Sequence, residues 1–271
     1  MKHRFRALTS TVEVEVRDGF VGAALAELLV AGYVSVLEEP AFSYILTDEG
    51  VTGVGRYKDL AATPIDVVPM FELDLYQQVA VQAAPGWLLH AAALEYEGGA
   101  YVFAGPSGAG KTTLTLELMN RGWRLITEEM VLIDRQLAVH GLARPIHAPL
   151  AGSHRDRIPA AWRSANYPIR VGETTNLSII VQPPLEARIR EPVPLRRLVR
   201  LDHGAQLQPS IDAMPPHSAL PRLWECTLRS DAAALAMASH IMSRSHPLQL
   251  HSSTAAEAAV QAFEITQLTG K

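Results

Sequence analysis

Nine consecutive residues carry the most specific chemistry in this chain: Gly105, Pro106, Ser107, Gly108, Ala109, Gly110, Lys111, Thr112 and Thr113. Gly105 to Thr112 fits the pattern G-x-x-x-x-G-K-[ST] in full. Glycines let backbone N–H groups turn inward around phosphate oxygens. Lys111 supplies a mobile positive charge for the β- and γ-phosphates, and the Thr112 hydroxyl can ligate Mg²⁺. A helix opening near Lys111 points unpaired N–H groups and the positive end of its dipole at the anion. The flanks suit this role, since the apolar run AYVFA enters the loop and TLTLELMNRG leaves it with helical spacing. ATP binding is the expectation. It does not choose a reaction, because the motif serves many.

The groups that would receive or move a phosphate lie on either side. His90 ends the apolar stretch WLLH, twenty-one residues before Lys111. Glu128 and Glu129 follow Lys111 by seventeen and eighteen residues, inside the otherwise apolar RLITEEMVLI. A lone histidine at a strand end is more often structural, and two adjacent glutamates are most often a solvated edge. A charged pair inside an apolar run needs another explanation. If the run returns as a strand beside the loop, one carboxylate could hold Mg²⁺ and the other could deprotonate an attacking hydroxyl. Neighbouring strand residues face opposite ways, so both reach the site only if the strand ends there.

Other candidates carry less. Arg144 follows the acidic segment and could clamp phosphates, though a surface arginine fits equally well. His147, His154 and Asp156 have no compact ligand spacing, so no metal site is expected from them. Arg155, Arg157, Arg163 and Arg170 form a basic stretch that reads first as a solvated loop. Arg196, Arg197 and Arg200 read as a solvated face, Ser107 as a loop hydrogen-bonder, and Tyr33, Tyr44 and Tyr96 as core or sheet residues.

The elements that must position these groups can be sketched from periodicity. TVEVEV (11–16) alternates like a half-buried strand, and residues 19–32 have helical spacing with a glycine stop. VSVLEE and FSYILTDEG read as strand and turn. Residues 66–86 read as a strand or short loop and then a helix. LEYEGGAYVF reads as a hairpin turning on Gly98-Gly99, and RLITEEMVLID as one strand. Residues 145–168 read as loop with a short helix, NLSIIVQ and ARIREPV as strands, and the four prolines of 209–221 as a connection. Residues 231–243 and 253–266 read as helices capped by Asp231 and Ser253. A soft boundary near residues 70–80 divides a small α+β region, 1–75, from a catalytic domain, 76–271.

Composition narrows the class. With 48% apolar and 19% charged residues over 271 positions, the chain is an ordinary globular one with room for a substantial core. A net charge of −4 without a basic field argues against nucleic-acid binding. The single cysteine, Cys226, excludes an internal disulfide, and no apolar run is long enough for a signal or a membrane span. A cytoplasmic protein that binds neither nucleic acid nor membrane is expected.

Together the residues from Trp87 to Asp134 resemble the core of the HPr serine kinase/phosphorylase family and its smaller relatives. That family has a histidine before the hairpin, the glycine-rich loop, a helix ending in Arg-Gly, and an acidic pair. His90, Lys111, Arg121-Gly122 and Glu128-Glu129 stand at corresponding places. The resemblance covers about fifty residues well and the rest in outline. It implies a mixed α/β catalytic core like that of phosphoenolpyruvate carboxykinase, and ATP- and Mg²⁺-dependent phosphorylation of a serine hydroxyl. It implies Glu128 as the base, Glu129 and Thr112 by the metal, and His90 orienting the acid or meeting the phosphates. The family pair is usually Asp-Asp, so each arm here is one methylene longer. The later loop tied to the phosphorylase reaction and HPr contact is not found, which argues against HPr as substrate. Chains of this reduced type resemble kinases that modify ribosomally made peptides, including lasso-peptide precursors. A peptide or protein serine is therefore the expected acceptor, with free serine or a sugar as the alternative. Relatives of this kind form oligomers.

Three rival functions share such a loop. A transporter ATPase should show an LSGGQ-like stretch and a strand ending in Asp-Glu, and neither is present. A guanylate-type kinase carries its loop near the amino end, whereas about a hundred residues precede it here. A nucleotide-dependent regulator without transfer activity belongs to another class, and a hydroxyl-dependent ADP yield would separate it from a kinase. The amino-terminal region could offer a strand edge for docking a peptide.

Overall fold

Alternation in STVEVEV buries Val12, Val14 and Val16 and makes a strand, Ser10–Val16, as its period dictates. The computed structural model describes all residues except 1, 18, 20–21, 31–33, 54–59, 62–63, 143, 150–154, 172–173, 205–206 and 268–271. Tyr33 and His154 thus lie outside the described residues. The chain divides into two compact units, the first Met1–Ala84 with Leu142–Pro184, the second Pro85–Gly141 with Leu185–Lys271. Residues 142–184, expected within the catalytic domain, fall in the first unit.

In the first unit, a six-stranded sheet runs in the order Val34–Ser35, Lys2–Ala7, Ser10–Val16, Phe42–Thr47, Gly50–Thr52, Leu60–Ala61. A three-stranded antiparallel sheet holds Thr174–Gln182 between Ile146–Pro149 and Arg163–Val171. The unit also holds two α-helices, Ala23–Val30 and Pro64–Gln82, among its described residues. The second absorbs what reads in sequence as strand or loop, and the expected boundary near 70–80 falls inside it. Val67, Val68, Phe71, Leu75 and Val79 form one buried helical stripe, and the helix continues through Pro69. Residues 145–168, read as loop with a short helix, do hold a short 3₁₀ helix, Arg155–Arg157, and also contribute strand residues because their apolar positions pair with Ile179, Ile180 and Val181.

The second unit is built on a mixed sheet. Its strands run in the order Ala138–Gly141, Met130–Ile133, Trp87–Tyr96, Gly99–Ala104, Val193–His203, Leu248–Ser252, Ser210–Ala213, and Arg124–Thr127 also pairs with Trp87–Tyr96. Gly99–Ala104, Val193–His203 and Leu248–Ser252 are mutually parallel neighbours, and the remaining pairs are antiparallel. Trp87–Tyr96 is buried on both faces, which explains why WLLHAAAL is apolar without alternation. One face packs Leu89, Ala91 and Ala93 with Val102, Ile241 and Met242. The other gathers aromatic rings around the buried Trp123, with Tyr96 and Tyr101 at 4.9 Å and Phe263 at 5.7 Å between centroids.

Several local expectations change in this unit. The hairpin turns on Glu97-Gly98, both at positive φ (50° and 77°), and Gly99 is already paired with Tyr96. ARIREPV is not a strand of its own: it starts at Ala187, the last residue of a short 3₁₀ turn, Leu185–Ala187, and leads to the long strand Val193–His203. Pro216 opens a helix, Pro216–Trp224, where its missing N–H is harmless. Asp231 does cap the helix Ala232–Ser245, accepting from the Ala234 N–H at 2.7 Å. For Ala255–Gln267 the reciprocal pair is Thr254 and Glu257, each backbone N–H donating to the other's side chain at 3.1 Å. Among the described residues, no helix is long and apolar enough to cross a membrane.

Candidate active site

The segment 124–133 is two strands rather than one. Arg124–Thr127 and Met130–Ile133 both pair with Trp87–Tyr96, and the chain bends between them at Glu128-Glu129. The pairing places Thr127 opposite Ala93 and Met130 opposite His90. The break removes the constraint that sends neighbouring side chains to opposite faces. Glu128 is buried and accepts a hydrogen bond from the Thr112 hydroxyl. Glu129 Oε1 lies 3.2 Å from His90 Nδ1, and its carbonyl accepts from the Ala91 N–H at 3.1 Å.

The glycine-rich loop leaves the sheet at Ala104 and enters the helix Lys111–Met119. Gly108 and Gly110 take φ of 83° and 85°, a region costly to any other residue. Ala109 N–H donates to the Pro106 carbonyl at 3.1 Å, and Leu114 N–H to the Gly110 carbonyl at 2.8 Å. Ser107 and Thr113 lie within this loop and first turn. The Lys111 ammonium folds back, donating to the carbonyls of Gly105 at 2.9 Å and Pro106 at 3.1 Å. Burial holds Lys111 below the ordinary lysine range, while the negative forms of Cys226, Glu129 and Glu128 pull it the other way.

Lys111, Thr112, Glu128, Glu129 and His90 therefore form one contiguous cluster in the second unit. Arg144 belongs to the first. There it is buried, its Nη1 donating to Glu72 Oε1 at 3.0 Å and its guanidinium lying 4.8 Å over the Tyr76 ring. Glu72 also accepts from Tyr76 at 2.6 Å and Tyr167 at 2.5 Å, and lies 3.2 Å from His147 Nε2. Burial alone would raise this carboxyl, but His147 and Arg144 overturn that and hold it below the usual carboxylate range. His147 is thus a member of a buried polar network.

Sequence reasoning missed Cys226 and misread Arg200. The Cys226 carbonyl accepts from the His90 N–H at 2.7 Å, and its thiol accepts from the Gly105 N–H. Burial raises the thiol above its ordinary value, against the opposing pull of Arg200 and Lys111. Arg200 was read as solvated, but its side chain is only 13% exposed. Both lie about ninety residues or more beyond the loop, with no local motif to signal them.

The donor set suits a hard cation. Thr112 Oγ1 touches a carboxylate, and among the described residues no group of three His, Cys, Asp or Glu side chains is placed to hold a metal. Mg²⁺ typically takes one or two protein oxygens and completes its shell with water and phosphate. No model of a known protein family matches this sequence, and no curated protein does. Among solved structures, the HPr(Ser) kinase/phosphatase from Coxiella burnetii aligns over 67% of this chain and 98% of its own, at 13% identity and a TM-score of 0.32. A likeness at that level bears on neither reaction nor substrate. The class defined by the chain itself is a mixed α/β protein with a glycine-rich loop closed by an acidic pair.

Proposed function

We propose that this protein is an ATP- and Mg²⁺-dependent kinase that transfers the γ-phosphate to a hydroxyl, most specifically a serine of a peptide or protein. The observation that carries the reading is the strand break at Glu128-Glu129. It sets one carboxylate on Thr112 and the next on His90, so a metal-side acid and a proton-accepting acid stand next to each other. The resemblance of Trp87–Asp134 to the HPr kinase core, with its phosphoenolpyruvate carboxykinase-like architecture, supports the same reaction.

The nucleotide phosphates lie on Gly105–Thr112, and Lys111 leaves its two carbonyl partners to neutralise the β/γ oxygens. Thr112 and Glu128 would hold Mg²⁺, which supplies charge neutralisation of the phosphates when bound. Glu129, steadied by His90, accepts the proton of the incoming hydroxyl. This division follows the contacts and reverses the one the family resemblance implies, in which Glu128 is the base. Phosphoryl transfer asks mainly for alignment and charge stabilisation, which this cluster can supply.

The test is ADP yield from Mg²⁺ and ATP with a panel of acceptors: serine-bearing peptides, HPr, free serine and a sugar. Yield that rises with a serine peptide supports the reading. Yield with only free serine or the sugar moves it to a small-molecule kinase. Nucleotide binding without hydroxyl-dependent yield makes the protein a regulator.

A further inference from the structure

Val193–His203 runs parallel to Gly99–Ala104, and its register sets Arg200 beside Ala104, the residue before the glycine-rich loop. One residue on, the Leu201 carbonyl stands 3.1 Å from where a Cβ on Gly105 would be. The two backbones touch where the loop leaves the sheet. Beyond that point Cys226 takes the vacated position alongside Trp87–Tyr96, bonded to His90 through its carbonyl and to Gly105 through its thiol. That thiol has both Arg200 and Lys111 as electrostatic neighbours.

Arg200 is poorly satisfied for so enclosed a charge. Its Nη2 reaches Glu225 Oε2 at 3.4 Å, and Glu225 is itself 65% exposed. Its Nη1 is buried and has no hydrogen-bond partner among the described residues. A buried charged donor without an acceptor is unfavourable and marks a place where an anion belongs. A purely structural arginine would be expected to spend its buried N–H on a fixed acceptor, and the exposed Glu225 is a weak anchor.

We propose that Arg200 binds a phosphoryl oxygen of the nucleotide, donating from Nη1 to the terminal phosphate held on Gly105–Thr112. The assignment rests on reading that loop as a nucleotide site. The terminal phosphate is the partner because Arg200 stands beside Ala104, at the mouth of the loop whose Lys111 meets the β/γ end, with a buried Nη1 left to donate.

The experiment is calorimetric titration of the full chain with Mg²⁺ and either ADP or the β,γ-imido analogue of ATP. It compares the unsubstituted protein with Arg200→Gln, Arg200→Lys and Glu225→Gln, each with its melting temperature recorded. Arg200→Gln is expected to weaken the ATP analogue about 10- to 100-fold, as loss of a charge-assisted hydrogen bond would, with ADP affinity unchanged. Glu225→Gln should leave both affinities intact. If Arg200→Gln does not fold, Arg200→Lys carries the comparison, because it keeps the charge but loses the planar fork. Equal loss for ADP and the analogue, or no loss for either, overturns the assignment to the terminal phosphate. Failure of the unsubstituted protein to bind either nucleotide overturns the nucleotide reading itself, and this proposal with it.

Discussion

The Thr112 hydroxyl donates to the Glu128 carboxylate, joining the first turn of the loop helix to the break in the neighbouring strand. Glu129, one residue on, is instead held against His90. Two chemically identical side chains thus have different surroundings, and different surroundings are what divide acid–base roles between paired carboxylates.

Substitution of each glutamate should separate those roles. Glu129→Gln should keep Mg²⁺-dependent nucleotide affinity and lower turnover about 10²- to 10⁴-fold. Glu128→Gln should weaken nucleotide binding in Mg²⁺ and raise the Mg²⁺ concentration needed for half-maximal activity. His90→Ala should resemble a milder Glu129→Gln. Turnover and Mg²⁺ titrations read all three, and the opposite pattern would restore Glu128 as the base.

Lys111→Ala should abolish transfer and sharply weaken nucleotide binding, because it removes the only cation built into the loop sequence. Burial lowers the Lys111 pKa, so its charge is lost at a lower pH than in an ordinary lysine of about 10.4. Nucleotide affinity in the free protein should therefore begin to fall below that pH. Affinity measured from neutral to alkaline pH checks the direction.

Glu72 makes the first unit acid-sensitive. Its folded pKa is depressed, so the stability it contributes is present above the unfolded value of about 4.3 and lost as pH falls through the folded one. Glu72→Ala leaves Arg144 buried without this partner and should destabilise by about 3–5 kcal/mol. Glu72→Gln should flatten the acid limb of the stability curve. Denaturant unfolding at a series of pH values reads both.

Trp123 anchors the segment after the loop helix against Tyr96, Tyr101 and Phe263. Trp123→Ala should cost about 3–5 kcal/mol, as deletion of a large buried aromatic does. A shift in the denaturation midpoint measures it.

Much of the loop and its strand and helix was legible because Gly105–Thr112 is a local motif whose flanks carry their own periodicity. The bend at Glu128-Glu129 was not, because RLITEEMVLI reads as one strand until two successive pairings with Trp87–Tyr96 are known. The start of the helix Pro64–Gln82 reads locally as strand or short loop, and it is the tertiary burial of Val67, Phe71 and Leu75 that makes it helical. Arg200 and Cys226 reach the loop only through long-range pairing, which no spacing in the sequence records.

The most direct measurement is mass analysis of a serine-containing peptide after incubation with the pure protein, Mg²⁺ and γ-labelled ATP, beside the same peptide with that serine replaced by alanine. A single phosphoryl addition on the serine peptide, absent from its alanine twin and from the Lys111→Ala reaction, is the predicted result. Bound nucleotide with no label on any hydroxyl acceptor would contradict the account.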